Sequence, residues 1–180
     1  MFLLRPSEWS YSTGATGGVC ADVVVASGGS IVLSDPDAKD EAFYYGGIGA
    51  GMGVGIKIPR LKLPGLNGKE VGGAGSAKSF PSGGAIFMTD AFRGSELSRR
   101  DIQGATVYVD AGGGLLLGAG GSVMFLGINS AELILGLSSP GMLYLAERAI
   151  AQAPALLVMG GITAGLQAGL GVGLLAGYLH

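Results

Sequence analysis

Apolar and polar positions along this chain change rhythm, and each rhythm predicts a different kind of element. After an irregular start, Val19–Ala26 and Ser30–Leu33 are runs rich in β-branched residues, and Ser27-Gly28-Gly29 between them has the composition of a hairpin turn. From Gly47 to Ile56 glycine alternates with an apolar residue at period two, the period of a strand with one nearly bare face. Gly84–Thr89 and Ala105–Val109 read as further strands, joined by a charged connection. Charge then vanishes from Ala111 to Ala131. That run fits two buried glycine-rich strands turning at Gly120-Gly121, or a helix crossing a bilayer, which needs about 20 residues. The glycine triplet at 112–114 favours strands.

Helical signals follow. Asn129 can cap a short helix with Glu132 three residues on, and Ser139-Pro140 supplies a second cap with proline at the first helical position. The helix opened there carries Leu143, Ala146, Ile150 and Ala153 on one side, and Pro154 ends or kinks it. From Pro154 to Leu179 no residue is charged, and Gly161, Gly165, Gly169, Gly173 and Gly177 recur every four residues. As a helix this span rises roughly 37 Å, enough to cross a hydrocarbon core of about 30 Å. Five interior glycines cost a helix about 4–5 kcal/mol relative to alanine, an expense that only close packing against a partner helix offsets. Thr163 and Gln167, four apart, make a short polar line that can border water in an oligomer or bond between helices.

The pattern therefore predicts an α+β fold. A glycine-rich, strand-dominated body (1–128) precedes apolar C-terminal helices (129–180), with a transmembrane glycine-zipper helix as the candidate working part. The rival is a soluble lipid-binding or structural module whose apolar helices complete its core.

Composition narrows the function. Hydrophobic residues make up 48% and charged residues 13%, against roughly 25% charged in an ordinary soluble domain. Mean hydropathy is +0.50. A chain so poor in charge must present apolar surface or hide it against a partner or a membrane. The net charge of −2 leaves no basic footprint for nucleic acid. Cys20 is the sole cysteine and His180, at the fraying C-terminus, the sole histidine, so cysteine–histidine, serine–histidine–aspartate and histidine-rich metal chemistry are not expected. No cofactor or metal is implied.

Several shorter features are weaker. Asp35 to Glu41 is an acidic turn without the glycine and late glutamate of a calcium loop. Gly49-Ala50-Gly51-Met52-Gly53 only partly matches a phosphate-cradling loop. The basic, proline-punctuated stretch Lys57 to Lys69 is an exposed connection, able to meet anionic headgroups. Asp90, Asp101 and Asp110 are the carboxylates a small hydrolase would use, but no motif pairs them, so an enzyme is not expected. Met1-Phe2-Leu3-Leu4-Arg5-Pro6 lacks the apolar core of a secretory leader, which implies synthesis and holding in the cytoplasm and export by a route needing no cleaved leader.

Tyr44-Tyr-Gly-Gly-Ile-Gly-Ala-Gly-Met-Gly-Val-Gly-Ile-Lys57, Ser79-Phe-Pro81, Val107-Tyr-Val-Asp-Ala-Gly-Gly-Gly114 and the terminal glycine series resemble small pore-forming antibacterial effectors of the bacterial type VI secretion system. The resemblance implies carriage in the lumen of the haemolysin-coregulated (Hcp) tube ring and secretion into a target cell. It further implies insertion into that cell's inner membrane, ion leakage through a possible homo-oligomer, and a membrane-embedded immunity protein in the producer. It carries no catalytic motif; of the site residues, only the five zipper glycines transfer. A resting form that shields the apolar spans from water is expected.

Overall fold

Backbone hydrogen bonding in this chain is satisfied mainly across strands. The computed structural model describes residues 3–21, 24–50, 83–111, 119–162 and 174–180. Eight strands are β1 (Arg5–Ala21), β2 (Val24–Ser34), β3 (Asp40–Ala50), β4 (Gly83–Met88), β5 (Gly104–Ala111), β6 (Ala119–Ile128), β7 (Ala155–Ile162) and β8 (Leu174–Leu179). They form a closed barrel in the order β1-β2-β3-β8-β5-β6-β7-β4, every neighbouring pair antiparallel. Three short helices, α1 (Arg99–Ile102), α2 (Ser130–Ser138) and α3 (Leu143–Ala151), interrupt the strand series.

Alternation along the strands sorts the apolar side chains into two cores. One fills the barrel: Trp9, Ile31, Leu33, Phe43, Ile86, Met124, Leu126 and Leu157 are buried together inside it. The other lies outside the wall, where Val107, Val123, Phe125 and Leu156 of β5, β6 and β7 are covered by Leu133 of α2 and Ala146, Ala149 and Ile150 of α3. The two helices meet closely because Gly136 has no side chain. A Cβ there would stand 2.3 Å from the Ala146 nitrogen. Gly127, with φ +68°, turns the end of β6 so tightly that a Cβ would reach 1.9 Å from the Asp101 carbonyl oxygen.

The helical signals before Pro154 hold, with one change of partner. The Asn129 side chain accepts hydrogen bonds from the Ala131 and Glu132 amides at 3.1 and 3.2 Å. Glu132 does not complete a capping box but meets Arg148 of α3 at 3.0 Å. Ser139-Pro140 opens a 3-10 turn, Pro140–Met142, that leads into α3. Asp35 to Glu41 contains the expected turn, its Asp35 carboxylate accepting from the Asp37 and Lys39 amides. Gly84–Thr89 and Ala105–Val109 appear as β4 and β5.

The fold class needs correction. The chain is strand-dominated rather than α+β with apolar C-terminal helices, and no helix among the described residues is long and apolar enough to cross a membrane. Where a helix from Pro154 to Leu179 was expected, Ala155–Ile162 and Leu174–Leu179 are strands β7 and β8. The physical reason lies in partners. β7 takes its backbone bonds from β4 and β6, and β8 from β3 and β5, so neither bears the helix penalty of the glycines. Three smaller expectations also fail. The irregular start is a strand from Arg5, the reversal expected at Ser27-Gly28-Gly29 falls between Ala21 and Val24, and Gly120-Gly121 lies within β6. His180 is tied down by reciprocal backbone bonds with Tyr44, both 3.0 Å. The stretch from Gly51 to Ser82, including the basic run, lies outside the described residues.

Candidate membrane-facing site

Strand direction divides the barrel into two unlike ends. At one end lie the β2–β3 turn, the segment with α1 between β4 and β5, and the helical pair between β6 and β7. Nearly all described charge gathers there. Within the strands only Arg5, Glu8, Asp40, Glu41 and Asp110 are charged, and β2, β4, β6, β7 and β8 have no charged residue. Of these five, Asp110 alone stands toward the opposite end, in register with Ser122.

That opposite end is glycine-rich: Gly14, Gly17 and Gly18 of β1, Gly28 and Gly29 of β2, and Gly46, Gly47 and Gly49 of β3 lie along it. Near the charged end the inward positions are large and apolar, Ile31, Leu33 and Phe43 among them.

The candidate site residues divide between these strands and undescribed chain. Gly161 lies in β7 opposite Gly120, and Gly177 in β8 opposite Gly47 and Thr106. β7 and β8 are not neighbours, since β5 and β6 stand between them. Gly165, Gly169, Gly173, Thr163 and Gln167 lie outside the described residues. The three carboxylates considered for hydrolysis are not assembled. Asp101 caps α1 through the Ser98 amide and hydroxyl at 2.8 and 2.6 Å, Asp90 is exposed in the turn after β4, and Asp110 is well along β5.

A polar clamp at the charged end has no counterpart in the sequence pattern. The Glu96 carboxylate accepts from the Ser7 hydroxyl at 2.5 Å and from the Glu8 and Leu97 amides at 2.9 and 2.8 Å. Arg5 donates to the Phe92 and Gly94 carbonyls at 3.0 and 3.2 Å, and the Trp9 indole N–H to the Leu97 carbonyl at 2.8 Å. These bonds strap the start of β1 to the segment following β4. Burial works to raise the pKa of Glu96. The Ser7 hydrogen bond, the two amides and the Arg5 charge outweigh it and hold the carboxyl below its ordinary value of 4.5. Partners nearly ninety residues apart leave no local signal from which the clamp could have been read.

No protein-family model matches the chain, and no solved structure matches it. A curated protein does. The chain is 35% identical over 185 residues to the toxin protein Tse4 of Pseudomonas aeruginosa, an alignment covering 98% of this chain and 95% of that protein.

Proposed function

The chain belongs to the Tse4 toxin family, and we propose that it enters the inner membrane of a target bacterium and opens ion-permeable pores there. Family membership agrees with the type VI secretion toxins that the sequence resembles. The observation carrying the membrane step is the segregation of charge along eight strands closed into a barrel. In hydrocarbon every backbone N–H and C=O must be bonded internally, which helices and closed barrels alone achieve. A membrane-crossing strand needs about 9–11 residues. β2 supplies 11 uncharged residues and β6 supplies 10. Strands, not a zipper helix, are therefore the crossing elements of this proposal.

The barrel as it stands is a resting form. Eight strands enclose room that side chains just fill, and Phe43, Ile31, Leu33 and Leu126, each 0% exposed, fill it at the charged end. A conducting state needs that interior rearranged or the barrel widened by further copies. Thr163 and Gln167, between β7 and β8 in the chain, are proposed to border the resulting aqueous path, with no catalytic step and no cofactor. Carriage in the Hcp tube and neutralisation by a membrane immunity protein complete the proposal, on the strength of the family resemblance. The rival lipid-binding module needs interior room that the packed side chains already occupy at the charged end.

The test is release of ions and of a small dye from liposomes of bacterial inner-membrane lipids by the purified chain. Concentration-dependent release is expected. Liposomes that stay tight while the protein binds them would overturn the pore and leave a membrane-binding toxin.

A further inference from the structure

Resting on the pore reading, we infer that the outer side of the barrel at its charged end is a lipid-docking collar. The collar seats the protein at the boundary between headgroups and acyl chains in the leaflet it meets first. Its helical half is α2 with the turn that follows. Leu133 and Gly136 are the buried positions of α2, and its other side carries Ile134, Leu135 and Leu137, the first of them 64% exposed. A helix packed on a protein with its far side in water shows charged and polar residues there. Here no charged residue stands between Glu132 and Glu147, and Met142 and Tyr144 in the same stretch are exposed as well.

The wall beside the helices supplies the other half. Phe43 and Leu179 are buried in the barrel core, so Tyr44 and Tyr178, next to them along β3 and β8, point outward. Both are more than half exposed. The His180 ring lies 6.1 Å from that of Tyr44 and 6.4 Å from that of Tyr178. The two halves are continuous. Tyr178 is in register with Ala105 of β5, and the Ala105 amide donates to the Ser130 hydroxyl at the start of α2 at 3.1 Å. The collar thus runs from β3 across β8 to the helices that cover β5, β6 and β7.

Three features favour lipid over protein as what covers it. Neighbouring exposed apolar side chains mark a surface for a partner less polar than water, yet the helical half offers none of the charge with which a protein partner's polar rim would pair. The exposed rings of the wall belong to two tyrosines and a histidine, and tyrosine, an apolar ring with a polar tip, gathers at bilayer interfaces. The collar also stands where charge gives out. Past Glu41, β3 carries none through Ala50, and β8 carries none at all. A membrane-crossing barrel has its aromatic girdle at that level.

A tryptophan placed in each half tests the collar: Ile134→Trp on the helix and Tyr178→Trp on the wall. Both positions are exposed, and the natural tryptophan, Trp9, is buried and gives a background recorded on the unmodified chain. On liposomes of bacterial inner-membrane lipids, both variants should shift their emission to shorter wavelength. Lipids brominated near the headgroup should quench them more than lipids brominated near the chain end. Emission that stays put in liposome-bound protein overturns the inference, and stronger quenching from the chain end overturns the interfacial seat. A shift that grows with protein concentration in the absence of lipid assigns the face to a second copy, and overturns it equally. Ile134→Gln with Leu137→Gln should keep the Tm and bind liposomes roughly tenfold or more weakly, the scale of leaving even one such side chain unburied; unchanged binding refutes the collar. If that pair does not fold, Tyr44→Ser with Tyr178→Ser carries the same test on the wall. Dye release by the unmodified chain is scored apart from these. Tight liposomes with shifted tryptophans sink the pore and leave lipid docking standing, while leaking liposomes with unmoved tryptophans do the reverse.

Discussion

Replacing Phe43 with alanine tests the packed barrel and its link to membrane activity together. The ring is 0% exposed in the barrel core. It meets Trp9 edge-on, with centroids 6.2 Å apart and planes at 61°. The Arg99 guanidinium lies over it at 4.9 Å. Truncating a buried phenylalanine costs about 3–5 kcal/mol, and the aromatic partner places this site toward the upper part of that range. For a chain of this length each kcal/mol lowers Tm by roughly 2–4 °C, so a fall of roughly 6–20 °C is expected. Far-UV circular dichroism melts measure it. Dye release from liposomes, recorded at the same protein concentration, should become faster, because the mutation weakens the closed form that must open. A fall of less than about 2 °C, under one kcal/mol by the same scaling, would refute a packed interior. A lower Tm with slower release would refute the closed barrel as the form that precedes the pore.

Two further outcomes follow from the clamp and the helical pair. Because the Glu96 pKa in the folded chain lies below 4.5, its contribution to stability is present above that value and lost as pH falls through the folded pKa. Glu96→Gln should therefore lower Tm at neutral pH, and the difference from wild type should close in strong acid; a difference independent of pH would show that the carboxylate's charge plays no part. Gly136→Val places a branched side chain where a Cβ already stands 2.3 Å from the Ala146 nitrogen. It should cost about 1–3 kcal/mol as overpacking and strip hydrogen-exchange protection from 130–151 while β5 and β6 keep theirs.

The sequence showed β4 and β5, stretches of β2 and β3, the helix starts at Asn129 and Ser139-Pro140, and the scarcity of charge, but it took the start of β1 for irregular chain and misplaced the β1–β2 reversal. It misled after Pro154 for a definite reason. A repeat of four is a stripe on a helix, but four is also an even number, so the same residues fall on one face of a strand. Gly161 and Gly177 both stand at inner-face positions, two residues from Met159 and Leu179, which are buried in the barrel core. Period alone could not separate the two readings. What decided it was the presence of β4, β6, β3 and β5 as partners, a non-local fact. The clamp was invisible on the same ground, since Ser7 and Glu96 meet only after the barrel closes. Gly136 and Gly127 carried no signal either, because a close approach of Ala146 or Asp101 cannot be read from a neighbouring residue.

Under the proposed membrane step, charge decides which connections between strands can cross. Carrying a charged residue to mid-bilayer costs about 2.5–3.5 kcal/mol on insertion scales. Passing the β1–β2 reversal across takes one such residue, Asp22. Passing the segment between β4 and β5 takes six, Asp90, Arg93, Glu96, Arg99, Arg100 and Asp101, or about 15–21 kcal/mol on the same scale. The difference far exceeds the few kcal/mol that a rearrangement of packing could return. The chain should therefore insert with the low-charge connections of the opposite end leading, β1–β2 and the uncharged β5–β6 and β7–β8 among them, and α1, α2 and α3 left on the side of addition. Trypsin added outside sealed, protein-bearing liposomes should cut after Arg100 and Arg148, while trypsin trapped inside should leave both intact. Protection of Arg148 from the outside, with cleavage from within, would reverse the orientation and remove charge as its cause.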